Sequence, residues 1–236
     1  MKIKPNSLYV SSPVNALVQG ILREDKTLNQ ILGHGNFGLG TFNDLDGEMI
    51  ILDGNFYQIR SDGTVSIAPL GGSSPYACVT EFEADSKIEL KGPFGYMDLQ
   101  KCIDGLLLSK NLMYAIKIVG NFSFIRARSV PKQDSYKPLI EVAADQKEFN
   151  FHEISGVLAG FWTPDFLHSI SVPGYHLHFL STDKTHGGHL LDCTIHDMTI
   201  ELQAIDQFVL DLPHSIEYLS ANLDIDVSND LKKAEH

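Results

Sequence analysis

Three Asp-Gly pairs constrain this chain more than any other feature. Asp46-Gly47, Asp53-Gly54 and Asp62-Gly63 punctuate one short segment. Around them lie runs rich in aromatic and aliphatic residues, at 37–42, 48–52, 56–60 and 64–68. Between β-rich runs, an Asp-Gly pair supplies the left-handed backbone that a tight hairpin needs, because glycine has no Cβ to clash there. The spacing predicts an antiparallel meander, with a further strand at 76–82.

The flanking segments are read with the same rules. Residues 1–10 read as a short extended arm. Ser12-Pro13 is expected to cap a helix over 14–22, with proline in the first turn. Thr27 caps a second short helix, LNQIL, closed by Gly33. Beyond the meander, 97–109 reads as an amphipathic helix. Residues 113–130 read as a long strand, or a hairpin turning at Gly120-Asn121. The polar segment PKQDSYKP, at 131–138, is bounded by prolines and reads as a linker. It divides the chain into an N-terminal mixed β-sheet half, 1–130, and a C-terminal half, 131–236. In the latter we expect a helix over 139–148, a buried strand at 154–162 and a short helix from Thr163-Pro164. A strand through 189–205 and a helix from about 213 to 222 follow. Strands dominate without a regular βαβ rhythm. The expected fold class is therefore mixed α/β (α+β), two-domain, with largely antiparallel β-sheets and interspersed helices.

Charge and cysteine usage exclude some partners. The net charge of −12 opposes binding to nucleic-acid phosphates or an anionic membrane, though not to a small anionic substrate held by a local arginine. Cys78, Cys102 and Cys193 are odd in number and lack CxxC spacing. That fits a reducing compartment without a disulfide framework. The first twenty residues show no continuous apolar core of a secretory leader. No run reaches the ~18 apolar residues of a membrane span. The expected setting is the cytoplasm.

Chemistry is concentrated at 174–192, GYHLHFLSTDKTHGGHLLD, which holds four of the ten histidines. His176 and His178 stand two apart in an apolar run. Side chains at i and i+2 of a strand share a face, about 6–7 Å apart at their roots, so both rings can lean onto one cation. A polar segment with Gly187-Gly188 reverses the chain. His189 then opens the next apolar run, and His186, which competes with it as a third ligand, ranks second because it lies in the polar loop rather than at the strand start. Three neutral imidazoles with an open side form the pattern of a catalytic zinc site. The competing reading is that the pair are core histidines satisfied by hydrogen bonds. A cupin-type site is a poor fit, with Ile170 upstream and Asp183 as the nearest downstream acid. A zincin is excluded by the absence of HExxH. Of the six other histidines, 34, 152, 168, 196 and 214 lack partners at ligand spacing, and His236 is the last residue. Arg126 and Arg128, in RARSVP, share a strand face, and either can clamp a carboxylate. Glu48 directly follows an Asp-Gly turn, where a solvent-facing strand start is the bland alternative.

The ordered combination of LGxGTFNDLDGEMIILDGNFYQ, RxRSVP, GYHLHF with GGHLLD, and a closing KKAE resembles the α-acetolactate decarboxylase family. The likeness runs over roughly 15–235. The resemblance implies a two-domain α/β enzyme, usually dimeric, that uses zinc to convert (S)-2-acetolactate to (R)-acetoin and CO2. It implies zinc ligands His176, His178 and His189, an active-site Glu48, and Arg128 rather than Arg126. It further implies Thr41 as a pocket residue and Glu235 as a glutamate returning from the tail. No organic cofactor is expected. Two rival classes remain: a zinc-dependent lyase or hydrolase on another small keto acid or ester, and a metal-stabilised binding module. The last requires a fourth protein ligand, with His186 or Asp183 as candidates.

Overall fold

The Asp-Gly segment folds as the expected meander. The structure, a computed structural model, describes residues 6–235 except Tyr136, and leaves the side chains of Lys232 and Glu235 undescribed. β1 (Ser7–Val10) leads into helices α1 (Val14–Val18) and α2 (Leu28–Leu32). Strands β2 (Phe37–Thr41), β3 (Glu48–Leu52), β4 (Asn55–Ile59), β5 (Val65–Ile67) and β6 (Ala77–Thr80) follow. Next come β7 (Ser86–Gly95), α3 (Tyr96–Asp104), β8 (Met113–Ser129), α4 (Leu139–Ala143) and β9 (Lys147–Thr163). The chain continues through β10 (Gly174–Ser181), β11 (Gly187–Ile205), β12 (Gln207–Leu210), α5 (Ile216–Ser220) and α6 (Ser228–Glu235).

Two sheets result. The first has the order β12-β1-β6-β2-β3-β4-β5. Only β12, parallel to β1, departs from its antiparallel pairing among the described residues. The β3–β4 hairpin turns on Asp53 (φ 50°) and Gly54 (φ 75°), two left-handed residues in succession, the geometry that matches strand twist. The second sheet, β10-β9-β8-β11-β7, is antiparallel and also pairs β10 with β11, which closes four of its strands into a ring. The enclosed side packs Phe122, Ile125, Leu158, Leu177, Phe179 and Leu190. Alternation along each strand then turns residues 128, 176, 178 and 189 the other way, toward the first sheet. Between the sheets lies a core including Leu39, Ile50, Ala159, Phe161 and Leu180. The far face of the first sheet is covered by α2, whose Leu28 and Ile31 meet Met49, Ile51 and Phe56.

The mixed, largely antiparallel α/β class is as expected. Thr27 forms a full capping box with Gln30. Several boundaries differ. Residues 113–129 are one strand, because Gly120-Asn121 lies where the facing β11 is irregular rather than at a turn. The helix expected over 139–148 stops at Ala143, and β9 begins at Lys147, its KEFNF alternation forming a half-buried strand. Neither β7 nor β12 was expected. β7 is charged and contains Pro93, and β12 has only four residues. α1 ends at Val18, and its N-cap is Pro13 without a side-chain bond, not Ser12. α3 ends at Asp104 with Gly105 as its cap, and α5 covers only Ile216–Ser220. The charged tail is helical: α6 sends Leu231 and Ala234 into the core between the sheets.

Candidate active site

Strand pairing assembles the histidines. In β10, Leu177 and Phe179 face the ring interior, so His176 and His178 take the opposite face. β10 pairs with β11 so that His178 stands opposite His189, and β11 pairs with β8 so that His189 stands opposite Arg128. Gly188 (φ 144°) permits this crossing, since a Cβ there would lie 2.6 Å from the Arg128 carbonyl oxygen. The three imidazole centroids are 5.1, 5.0 and 5.2 Å apart. The Nε2 atoms of His176 and His178 are 3.2 Å apart, and one nitrogen from each ring falls within 4.8 Å of the others. His178 Nδ1 is 2.9 Å from the Met49 carbonyl, which can only accept, so this nitrogen carries the proton and Nε2 is left as a donor to a cation. Buried imidazole nitrogens at these separations fit a shared metal ion, which removes the repulsion between facing lone pairs. Among the described residues no fourth His, Cys, Asp or Glu joins this group.

The first sheet supplies the other side. Thr41 and Glu48 face each other across β2 and β3, and Thr41 Oγ1 donates to the Gly47 carbonyl at 2.8 Å, which braces the turn before Glu48. Glu48 Oε2 is 3.6 Å from His178 Nε2, and Glu48 Oε1 is 3.4 Å from Arg128 Nη1. Arg128 Nη2 donates to the Ala234 carbonyl at 2.8 Å. That carbonyl lies in the last turn of α6, where main-chain oxygens lack helical partners and the helix dipole is negative, so it suits a guanidinium. Arg128 and Glu48 are 4% and 7% exposed, so each charge depends on the other and on these partners rather than on water. Thr41, Glu48, Arg128, His176 and His178 line one cavity.

The expected residues therefore converge, apart from two limits. Glu235 ends α6, directly after Ala234, but its side chain lies outside the described residues. Asp183 and His186 lie off the site. The exposed His186 pairs with Thr185 Oγ1 at 2.8 Å, and Asp183 accepts from Ser181 Oγ at 2.6 Å. Arg126 remains exposed. Elsewhere, His34 stacks on Tyr9, and His152, His196 and His214 are exposed. Sequence reasoning missed the carbonyls of Met49 and Ala234, which aim His178 and Arg128. Main-chain atoms leave no residue-type signal.

Fold and site together define a mixed α/β protein in which two sheets enclose a three-histidine, metal-capable centre beside a carboxylate and a guanidinium. A profile of the family described as alpha-acetolactate decarboxylase matches residues 8–225. The alpha-acetolactate decarboxylase of Methanosarcina mazei is 40% identical over 231 residues, 97% of this chain and 80% of that protein. That of Bacillus subtilis is 37% identical over 232 residues, 98% of this chain and 91% of its own length. The crystal structure of alpha-acetolactate decarboxylase from Bacillus subtilis strain 168 superposes with a TM-score of 0.94 at 37% identity, covering 97% of this chain and 99% of that one. A Staphylococcus aureus protein of unknown function, similar to alpha-acetolactate decarboxylase, matches with a TM-score of 0.93 at 33% identity, over 98% of this chain and 100% of its own. This chain belongs to the alpha-acetolactate decarboxylase family.

Proposed function

We propose that this chain is a zinc-dependent decarboxylase that converts (S)-2-acetolactate to (R)-acetoin and CO2. The observation that carries the reading is the convergence of three buried imidazoles on Glu48 and Arg128. His176, His178 and His189 would hold the zinc. Neutral ligands leave the ion its full charge, so when bound it supplies a Lewis acid for the electron pair left behind as CO2 departs. Arg128 receives the substrate carboxylate. Its planar fork matches two carboxylate oxygens, and the Ala234 carbonyl keeps that plane fixed. Once the carbon–carbon bond breaks, the former carboxyl-bearing carbon needs a proton. The Glu48 carboxylate, paired with Arg128 at rest, takes up one proton from water in each turnover and is the group we assign to deliver it to that carbon. A donor fixed on one wall reaches one face of that carbon, which gives a single enantiomer. Thr41 holds the wall beside Glu48, and Glu235, next after Ala234, is carried as the second carboxyl of the site. The enzyme is further proposed to act as a homodimer in the cytoplasm, in keeping with its three free cysteines.

Metal analysis paired with an acetoin assay on supplied acetolactate tests this. Wild type should contain zinc and form acetoin, and His178→Ala should lose both. Full turnover in a zinc-free His178→Ala protein removes the metal assignment. Zinc content with activity only toward other keto acids or esters removes the substrate.

A further inference from the structure

The proposed reaction needs groups from both sheets in one place. Glu48 stands on β3 of the first, and Arg128 and the three histidines stand on β8, β10 and β11 of the second. Among the described residues no strand ladder joins the two sheets. Within its own sheet Glu48 is well held. Thr41 Oγ1 donates to the Gly47 carbonyl at 2.8 Å, and Gln58 Nε2 donates to the Asp46 carbonyl at 2.5 Å. What remains is the displacement of one sheet against the other. The core between them is apolar, and apolar contact is non-directional. Directional bonds across the gap therefore carry the alignment, and two of them bracket Glu48. His178 Nδ1 donates to the carbonyl of Met49, the residue after Glu48, at 2.9 Å. Ser129 Oγ donates to the carbonyl of Ile59 at 2.8 Å, and Ile59 is the ladder partner of Glu48 on β4. Ser129 and Ile59 are both 0% exposed, so water does not compete for this bond. The Ile59 carbonyl also abuts the turn before Glu48: a Cβ on Gly47 (φ 92°) would lie 2.3 Å from its oxygen. Ser129 directly follows Arg128 and ends β8. One hydroxyl thus ties the strand that carries Arg128 to the turn that carries Glu48.

We infer that Ser129 is a positioning residue for the proposed decarboxylation: its bond to the Ile59 carbonyl sets the approach of Glu48 to Arg128, 3.4 Å in this structure. The inference rests on the decarboxylase reading and adds a residue to its site. Ser129 does not line the cavity, so it acts through Glu48 rather than on the substrate. Without the hydroxyl, the Ile59 carbonyl loses its donor from the other sheet, and only apolar contact aligns the two sheets at that point. Glu48 then drifts from the line on which it delivers its proton. Arg128 keeps the Ala234 carbonyl, so its grip on a carboxylate is preserved. His178 keeps the Met49 carbonyl, so the metal ligands stay aimed. The loss therefore falls on kcat and spares KM and zinc content.

The test is a double-substitution cycle, with zinc content and acetoin formation from supplied acetolactate measured for each protein. Ser129→Ala should keep the zinc of wild type and lose about 10- to 100-fold in kcat, the scale of a misplacement of roughly 1 Å in a site. In a Glu48→Gln background the same change should cost no more than about 2-fold, the scatter of independent pairs, because the group it aims is already disabled. A merely structural role lowers the active fraction equally in both backgrounds. Wild-type kinetics in Ser129→Ala with only a lowered melting temperature overturns the inference and leaves the decarboxylase reading standing, as does an equal loss in the two backgrounds. A zinc-loaded wild type that forms no acetoin overturns the two together. If Ser129→Ala shows no cooperative melting transition, Ser129→Cys, of similar shape and only a weak donor, decides by the same cycle.

Discussion

At the scale of single residues, the site is a set of charges that hold one another in place. Glu48 stands between His178 and Arg128, close to both, so its position responds to each. Glu48→Gln keeps the shape while removing the transferable proton. Zinc content should stay at the wild-type level while kcat falls by about 10²–10⁴-fold, the usual contribution of a placed acid or base. Normal turnover in that variant would return Glu48 to the status of a strand-start charge. Arg128→Lys keeps one positive charge and loses the planar fork, so KM for acetolactate should rise more than kcat falls. A steady-state comparison reads the two apart. The cysteines give an independent check of the packing. Burial pushes the Cys78 thiol up to about 11, against the lowering effect of bonds to Tyr76 and Ser171, and pushes Cys193 up to about 12. At pH 8 a disulfide reagent should therefore label the half-buried Cys102 of the folded protein, and reach the other two only after denaturation.

At the scale of elements, what was legible in the sequence depended on local signals. The meander was legible because Asp-Gly turns carry their geometry with them, and Asp53-Gly54 adopts it directly. His176 and His178 were legible as a pair because alternation along one strand fixes their face. The preference for His189 over His186 came from its place at a strand start and from the family resemblance, and that for Arg128 over Arg126 from the resemblance alone; the physical reason for both lies in the register of β8, β10 and β11, which is long-range information. β12 was missed because it has only four residues, and β7 because its lysines and Pro93 mask an alternation in which Ile88 and Leu90 are only partly buried. The tail KKAE carried too little apolar pattern to announce α6. An isolated helix of eight residues is marginal in water, so α6 depends on Val227, Leu231 and Ala234 being buried. Leu231→Ala should cost about 2–5 kcal/mol of local packing. Because α6 presents the Ala234 carbonyl to Arg128, the variant should retain zinc and lose about 10-fold or more in kcat/KM, the worth of a hydrogen bond to a charged group. Wild-type kinetics with a lowered melting temperature would make α6 a packing element alone.

At the scale of the whole molecule, the question is which surfaces are finished. Among the described residues three strand edges stay open: β5, β7 and β12. β5 has three residues, and β7 carries Lys87, Lys91 and Pro93, which discourage pairing with another chain. β12 has no such protection. Its sequence is Gln207-Phe208-Val209-Leu210, and Val209 is 45% exposed. Leu212, Ile216 and Leu219 extend the exposed apolar surface into α5. An uncharged edge beside an apolar patch suits a second copy of the same chain, with the two β12 edges antiparallel about a two-fold axis and α5 against its equivalent. The homodimer proposed above would then form through β12 and α5. Val209→Lys places a charge in the middle of that edge. Sedimentation velocity should show wild type at the dimer mass and Val209→Lys at the monomer mass, with zinc content unchanged in both. A wild type that sediments as a monomer removes the homodimer, and a Val209→Lys protein that still sediments as a dimer moves the interface to another face.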